Sequence, residues 1–139
     1  MKKNKSIPSA YDLRPDAAGP VNVTLPILPP SSNHMFVNVP GRGRVKSKEY
    51  RAWVAQMGAF LNAACRGRMV GRANVSIFLE NIPGADIDNR IKPVLDLLVT
   101  VGILADDSSK HVRSVSATWG DVKGLNIQVW PALGEAPCV

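Results

Sequence analysis

Apolar residues recur along this chain with two different periods, and these periods predict strands and helices. Over residues 21–28 apolar and polar side chains alternate, which is typical of a strand, and Pro26 favours an edge position for it. Residues 36–39 predict a short continuation before a Gly-Arg loop. Further strands are predicted over residues 75–79, 112–119 and 125–130, the last two forming a hairpin around a turn at 121–124.

Two other segments have the spacing of an amphipathic helix. Ser47 is placed to cap the first, which we predict to run to about Ala64. Its predicted core face consists of Tyr50, Trp53, Val54, Met57, Phe60 and Leu61. Asn89 is a capping residue type for the second, which is predicted from Asn89 or Arg90 to about Thr100, because proline fits a first helical turn and glycine follows at position 102. The order of elements predicts an α+β fold, a single domain with a mixed β-sheet and two main helices packed against it.

Length and composition set the outer limits of this domain. A chain of 139 residues suits one compact domain, which we predict over residues 20–131, between a polar tail at 1–19 and a short tail at 132–139. No apolar run is long enough for a transmembrane helix or follows the basic start as a signal peptide would, so we expect no membrane association and a cytoplasmic location. Cys65 and Cys138 are expected to be reduced thiols.

Charge is distributed unevenly along the chain. Residues 1–72 hold twelve Lys or Arg against three Asp or Glu, whereas residues 73–139 hold five against eight. The basic half therefore predicts a phosphate-binding surface whose affinity falls steeply with salt. The predicted DNA-binding residues are Arg42, Arg44, Lys46, Arg66, Arg68 and Arg72.

The acidic half contains four carboxylates near one predicted helix. Asp86 and Asp88 precede it, and Asp106 and Asp107 follow it. In an extended chain the first two would point to the same side and could share a divalent cation, which prefers oxygen ligands. Asp107 can rejoin them if the chain after the helix doubles back, which its length permits at ~3.3 Å per residue. Lys92 falls on the first turn of that helix, on the same face as the residue at 96.

Two stretches of this sequence resemble the RusA family of Holliday junction resolvases. The first is Asp86-Ile87-Asp88-Asn89-x-x-Lys92-x-x-x-Asp96-x-Leu98, followed by Gly102 and Asp106-Asp107. The second is Leu28-Pro29-Pro30-Ser31-Ser32-Asn33, with a Ser-x-Glu-Tyr-Arg helix start at residues 47–51. The resemblance covers residues 21–131. One departure is Ala85, where the family's namesake carries a basic residue before the first aspartate.

The resemblance implies a function and a set of site residues. It implies an endodeoxyribonuclease that resolves four-way junction DNA by paired symmetric nicks, acting as a homodimer in recombination and repair. Asp86, Asp88 and Asp107 would bind Mg²⁺, for which Mn²⁺ can substitute, and Lys92 would be the catalytic lysine. Asn89 and Asp106 would be supporting residues.

The residues also permit other interpretations. The aspartates can be turn and capping residues, and Lys92 a solvated helix residue paired with Asp96. The protein would then be a non-catalytic junction-binding module. A third possibility keeps the nuclease chemistry but assigns it to other branched or flapped DNA.

Overall fold

The computed structural model of the protein describes residues 20–64 and 72–132. The first range begins with a strand and ends with a helix, and the second begins and ends with a strand. The strands are β1 (Val21–Leu25), β2 (Phe36–Val39), β3 (Gly43–Lys46), β4 (Ala73–Glu80), β5 (Val112–Gly120) and β6 (Leu125–Pro131). The helices are α1 (Lys48–Ala64) and α2 (Ile91–Thr100), and short 3-10 turns cover Ser32–His34 and Ile87–Arg90.

Four of the strands form one mixed sheet. Their order is β1-β6-β4-β5, in which β6 pairs antiparallel with both of its neighbours and β4 pairs parallel with β5. Ile77 of β4 thus lies between Ile127 of β6 and Ala117 of β5. β2 and β3 form a separate antiparallel hairpin. The predicted α+β fold, with a mixed sheet and two main helices, is confirmed.

The core lies between one face of the sheet and the helices. Apolar side chains at alternate positions of β1, β4 and β6 are buried against α1 and α2, and their removal from water is the main stabilising term. The largest fully buried side chains include Tyr50, Met57, Leu61, Ile77, Leu97, Leu98 and Ile127. The opposite face of the sheet is polar and carries cross-strand contacts such as that between the hydroxyls of Ser76 and Ser116, 3.0 Å apart. The domain therefore has two layers.

Helix α1 begins next to the residue that the sequence predicts as its cap. The Ser47 hydroxyl accepts a hydrogen bond from the Tyr50 N–H (3.1 Å), which confirms the predicted cap. The same hydroxyl donates to the carbonyl of His34 (2.7 Å), so the cap also fixes the helix to the first 3-10 turn. The predicted core face is correct except at Phe60, which is 50% exposed because it lies on the flank of the apolar stripe, near the helix end.

Strand β1 has the predicted edge position but is shorter than predicted. It ends at Leu25, before Pro26, which has no N–H for a sheet ladder, and Ile27 is 47% exposed. The predicted strand at 36–39 exists as β2, but it pairs with β3, an element that the sequence did not predict.

The predicted hairpin between β5 and β6 is wrong, although both strands exist. The turn between them crosses the end of β4: Gly124 N–H donates to the Glu80 carboxylate (2.8 Å) and Glu80 N–H donates to the Gly124 carbonyl (2.9 Å). The chain therefore passes over β4 and continues as β6 on its other side. Trp119 on β5 is partly buried against the core, whereas Trp130 on β6 is 37% exposed.

Within residues 20–64 and 72–132, no helix is long and apolar enough to cross a membrane. The tails predicted at 1–19 and 132–139 lie outside the described residues, except for Ala132. Its N–H donates to the carbonyl of Arg72 (2.9 Å), which continues the pairing of β4 with β6 by one residue. Cys65 and Cys138 also lie outside the described ranges.

The turn over β4 predicts a specific effect on stability. Gly124 has φ +74°, and an added Cβ would overlap the carbonyl oxygen of Leu25. Gly124→Ala should therefore lower the free energy of unfolding by clearly more than about 1 kcal/mol, measured by urea denaturation. Gly84→Ala is the matched control, because Gly84 has a similar φ of +81° with no atom near its Cβ position. Equal losses in the two variants would contradict the proposed close contact.

Candidate functional site

The predicted catalytic residues all lie in one connection of the chain. This connection joins the parallel strands β4 and β5, and it comprises the turn at residues 81–86, the second 3-10 turn, α2 and residues 101–111. Gly84 adopts a positive φ in the first turn, where the Ala85 N–H donates to the carbonyl of Ile82 (3.1 Å). The acidic residues therefore enter the site immediately after the chain leaves the sheet.

The chain after α2 doubles back as predicted. Gly102 ends the helix with φ +87°, and the N–H groups of Ile103 and Leu104 both donate to the carbonyl of Leu98, at 3.0 and 3.2 Å. Both of these side chains are buried, which anchors the returning segment in the core. The return brings Asp107 to the first turn of α2, where its carboxylate lies 3.3 Å from Lys92 Nζ.

Lys92 connects two carboxylates. Its ammonium group donates to Asp96 Oδ1 at 3.1 Å and to Asp107 Oδ2 at 3.3 Å. The hydrogen bond to Asp96 is the main cause of a raised pKa of Lys92, and Asp107 adds to it. The Lys92 side chain remains 54% exposed, so its charge is both held in place and accessible to an anion from solvent.

Asp96 is in turn held by the core. The buried Tyr50 of α1 donates its hydroxyl to Asp96 Oδ2 at 3.4 Å, while Lys92 occupies the other oxygen. Burial, followed by the charge of Asp96, raises the pKa of Tyr50 well above its usual value of 10.0. A continuous line of contacts thus runs from Tyr50 through Asp96 and Lys92 to Asp107. The sequence offered the pairing of Lys92 with Asp96 as an alternative to a catalytic lysine, and its pattern marked Tyr50 simply as a core residue.

Asp106 belongs to the turn that presents Asp107. A hydrogen bond from the backbone N–H of Asp107, and then one from the Ser108 hydroxyl, lower the pKa of Asp106. The carbonyl of Ser108 accepts the N–H groups of His111 and Val112, both at 2.9 Å. The turn therefore leads directly into β5, and Asp106 has a supporting position in it.

The local geometry of the first acidic pair differs from the prediction. Asp86 is extended, with φ −88° and ψ 127°, but Asp88 lies within the 3-10 turn rather than in extended chain. Ile87 between them packs against the core, and both aspartates are exposed. Among residues 20–64 and 72–132, no three side chains of His, Cys, Asp or Glu lie together in an arrangement that could hold a metal ion.

Asn89 also has a different role from the one predicted. It does not start the helix, since α2 begins at Ile91 after the 3-10 turn, and neither turn nor helix has a side-chain cap. Its amide oxygen instead accepts a hydrogen bond from the Ser32 hydroxyl (3.0 Å), and the neighbouring Arg90 Nη1 donates to the carbonyl of Pro29. Because the apolar residues nearby are buried, Asn89 and Arg90 make these tertiary contacts and not a local cap. The contacts join the stretch at 28–33 to the stretch that begins at Asp86.

The predicted basic residues are placed unequally. Arg42 lies exposed in the turn between β2 and β3, and its N–H donates to the carbonyl of Val39 (2.9 Å). Arg44 lies over the Phe36 ring, 4.4 Å from its centroid, and Lys46 lies 5.9 Å from the centroid of Tyr50. Through Tyr50 the hairpin therefore adjoins the contacts of Lys92. Arg72 is partly buried beside the start of β4, and Arg66 and Arg68 lie outside the described residues.

The buried tyrosine predicts a pH-dependent stability. Since folding raises the pKa of Tyr50, its contribution is fully present below pH 10 and is lost as pH rises further, when the unfolded chain ionises first. Wild type should exceed Tyr50→Phe in free energy of unfolding by about 1 kcal/mol near pH 8, and this difference should shrink above pH 10. Urea denaturation of both proteins across this pH range measures it, and a difference that stays constant would contradict the account.

No family model matches the sequence, and no curated protein matches it.

Proposed function

We propose that this protein is a metal-dependent endodeoxyribonuclease of the RusA type, which cleaves branched DNA. The observation that carries the proposal is the contact of Asp107 with Lys92 across fifteen residues of sequence. Asp107 and Lys92 meet because the chain doubles back after α2, and two exposed aspartates lie on the turn before α2. Carboxylates and a lysine in these positions suit the cleavage of a phosphodiester. The resemblance to the RusA family supplies the four-way junction as substrate and the homodimer.

Asp86, Asp88 and Asp107 would hold Mg²⁺ or Mn²⁺. Their carboxylate oxygens are the donors that a hard cation prefers, and the first two are exposed. A bound divalent ion would polarise the phosphate and lower the pKa of the attacking water. Since no such ligand group is assembled among the described residues, binding would require Asp107 to exchange its contact with Lys92 for the ion.

Lys92 would then act on the substrate. With Asp107 as a ligand of the ion, the ammonium would keep its hydrogen bond to Asp96 and would have its remaining donors available for an anionic phosphate. Asp96 is itself fixed by Tyr50, so the position of Lys92 is set by the core rather than by the exposed loop. Preorganised charge of this kind stabilises the negative charge that develops on the phosphate.

The basic hairpin would bind the DNA backbone beside the site. Arg42, Arg44 and Lys46 lie on β3 or the turn before it, and Lys46 contacts the same tyrosine that holds Asp96. Arginine forks suit phosphate oxygens, and the release of condensed counterions makes such binding salt-dependent. The exposed Trp130 is a candidate for the homodimer interface.

Replacing Asp107 tests the catalytic assignment. With Mg²⁺ and a synthetic four-way junction, Asp107→Asn should cleave at least about a hundred-fold more slowly than wild type, the scale of losing one group that stabilises transition-state charge. Asp121→Asn, in the exposed turn after β5, is the control and should cleave normally. Full activity of Asp107→Asn would exclude this role. Junction binding without cleavage of any branched DNA by wild type would identify a non-catalytic binding module.

Replacing Lys92 separates metal binding from catalysis. Lys92→Met removes the cation that now neutralises Asp107, so Mn²⁺ should bind at least as tightly as in wild type, measured by calorimetry. Cleavage should nevertheless fall to background. Lys110→Met, at an exposed position before β5, controls for loss of one positive charge. Weaker Mn²⁺ binding in Lys92→Met than in this control would contradict the proposed exchange.

A further inference from the structure

A cleft of about 300 Å³ opens between the first 3-10 turn and the β2–β3 hairpin. It is lined by Ser32, Asn33, Phe36, Val37, Asn38 and Arg44. Its volume is at the lower end of the range for small-molecule sites. Of these described residues Arg44 alone carries charge, and the others supply two amides, a hydroxyl, an aromatic ring and an aliphatic side chain that is 47% exposed. This combination suits a planar, polar and partly apolar group.

Strand register arranges the charged and amide groups of the cleft. Asn38 is paired directly with Arg44, and Phe36 with Lys46, in the antiparallel ladder. Directly paired residues share one face of a two-stranded sheet, so these four side chains emerge on the same side. Asn38 therefore lies beside the arginine, with its amide available to donate and accept hydrogen bonds.

Contact with an aromatic ring holds Arg44 in a defined position. Its guanidinium carbon lies 4.4 Å from the centroid of Phe36, which packs against the core. The arginine itself is exposed, so the side of its guanidinium plane that faces away from the ring is accessible. Guanidinium planes and amide groups are the features with which proteins stack on unpaired bases and read their edges.

The cleft borders the candidate site through Ser32. This residue lines the cleft, and its hydroxyl donates to the amide oxygen of Asn89, which directly follows Asp88. A nucleotide in the cleft would therefore lie next to the acidic turn.

We infer that this cleft binds an unpaired nucleobase of the DNA substrate, with Arg44 as the stacking platform and Asn38 reading the edge of the base. The inference rests on the proposed function for its substrate class and adds to it a determinant of sequence preference. It predicts that the protein distinguishes bases even when no metal is present, because the cleft does not include the acidic residues.

Fluorescence anisotropy with short single strands tests the inference directly. In EDTA, wild-type protein is titrated against labelled dA10, dC10 and dT10 at one fixed salt concentration. The affinities for the strongest and weakest of these should differ by about ten-fold, the scale of one well-formed amide-to-base contact. Asn38→Ala should reduce this spread to less than about three-fold. Arg44→Lys should do the same while keeping the average affinity, since lysine retains the charge but loses the plane.

Arg42→Ala is the matched control, because Arg42 lies on the same hairpin and does not line the cleft. It should weaken binding of all three strands by the same factor and leave the spread unchanged. A spread that persists in both Asn38→Ala and Arg44→Lys, or no spread in wild type, would overturn the inference. Junction cleavage in Mg²⁺ is measured separately. If the variants lose the difference in affinity between strands and wild type cleaves no junction, the cleft binds a base but the protein is not a nuclease. If wild type cleaves junctions and the variants keep the difference in affinity, the protein is a nuclease but the cleft does not bind a base.

Discussion

Parallel pairing of β4 with β5 is the constraint on which the site depends. Two parallel neighbours cannot be joined by a tight turn, so the chain must cross over a face of the sheet before it can form the second strand. Here the crossover supplies α2, whose apolar side covers the core, and its two flanking segments carry the acidic residues. The positions of the acidic residues in the proposed site thus follow from the burial of α2 against the sheet.

The segment after α2, residues 101–107, brings Asp107 into contact with Lys92. Ile103 and Leu104 are buried, and their N–H groups bond to the end of α2, so the chain has little freedom between the helix and Asp107. Lys92 then sits between a fixed partner, Asp96, and a partner on an exposed turn, Asp107. Of the two contacts, the one to Asp107 is the easier to exchange, because Asp96 is also bonded to the buried Tyr50. In such a site the contact of Lys92 with Asp96 is fixed, whereas its contact with Asp107 can be exchanged.

The sequence predicted well wherever local chemistry and burial agree. Ser47 caps α1 and β1 lies at an edge of the sheet, because capping and the N–H that Pro26 lacks are local properties, although β1 ends at Leu25 and not at 28 as predicted. The predictions were wrong where a residue distant in sequence determines the local structure. Asn89 accepts a hydrogen bond from Ser32 instead of capping the helix. Gly124 contacts Glu80 at the end of β4, so β6 lies on the far side of β4 and does not form a hairpin with β5. The reach of Asp107 was predictable from chain length, whereas the 3-10 turn that holds Asp88 depends on the packing of Ile87.

Paramagnetic broadening by Mn²⁺ tests the central claim most directly, namely that the acidic turn and the returning segment share one metal ion. Trace Mn²⁺ is added to ¹⁵N-labelled protein, and the loss of each backbone amide signal is followed. The account predicts selective broadening at two places that are far apart in sequence, residues 86–89 and 106–108, and the loss of both in Asp107→Asn. Broadening limited to one of the two places, or spread over the acidic surface without such a focus, would contradict it.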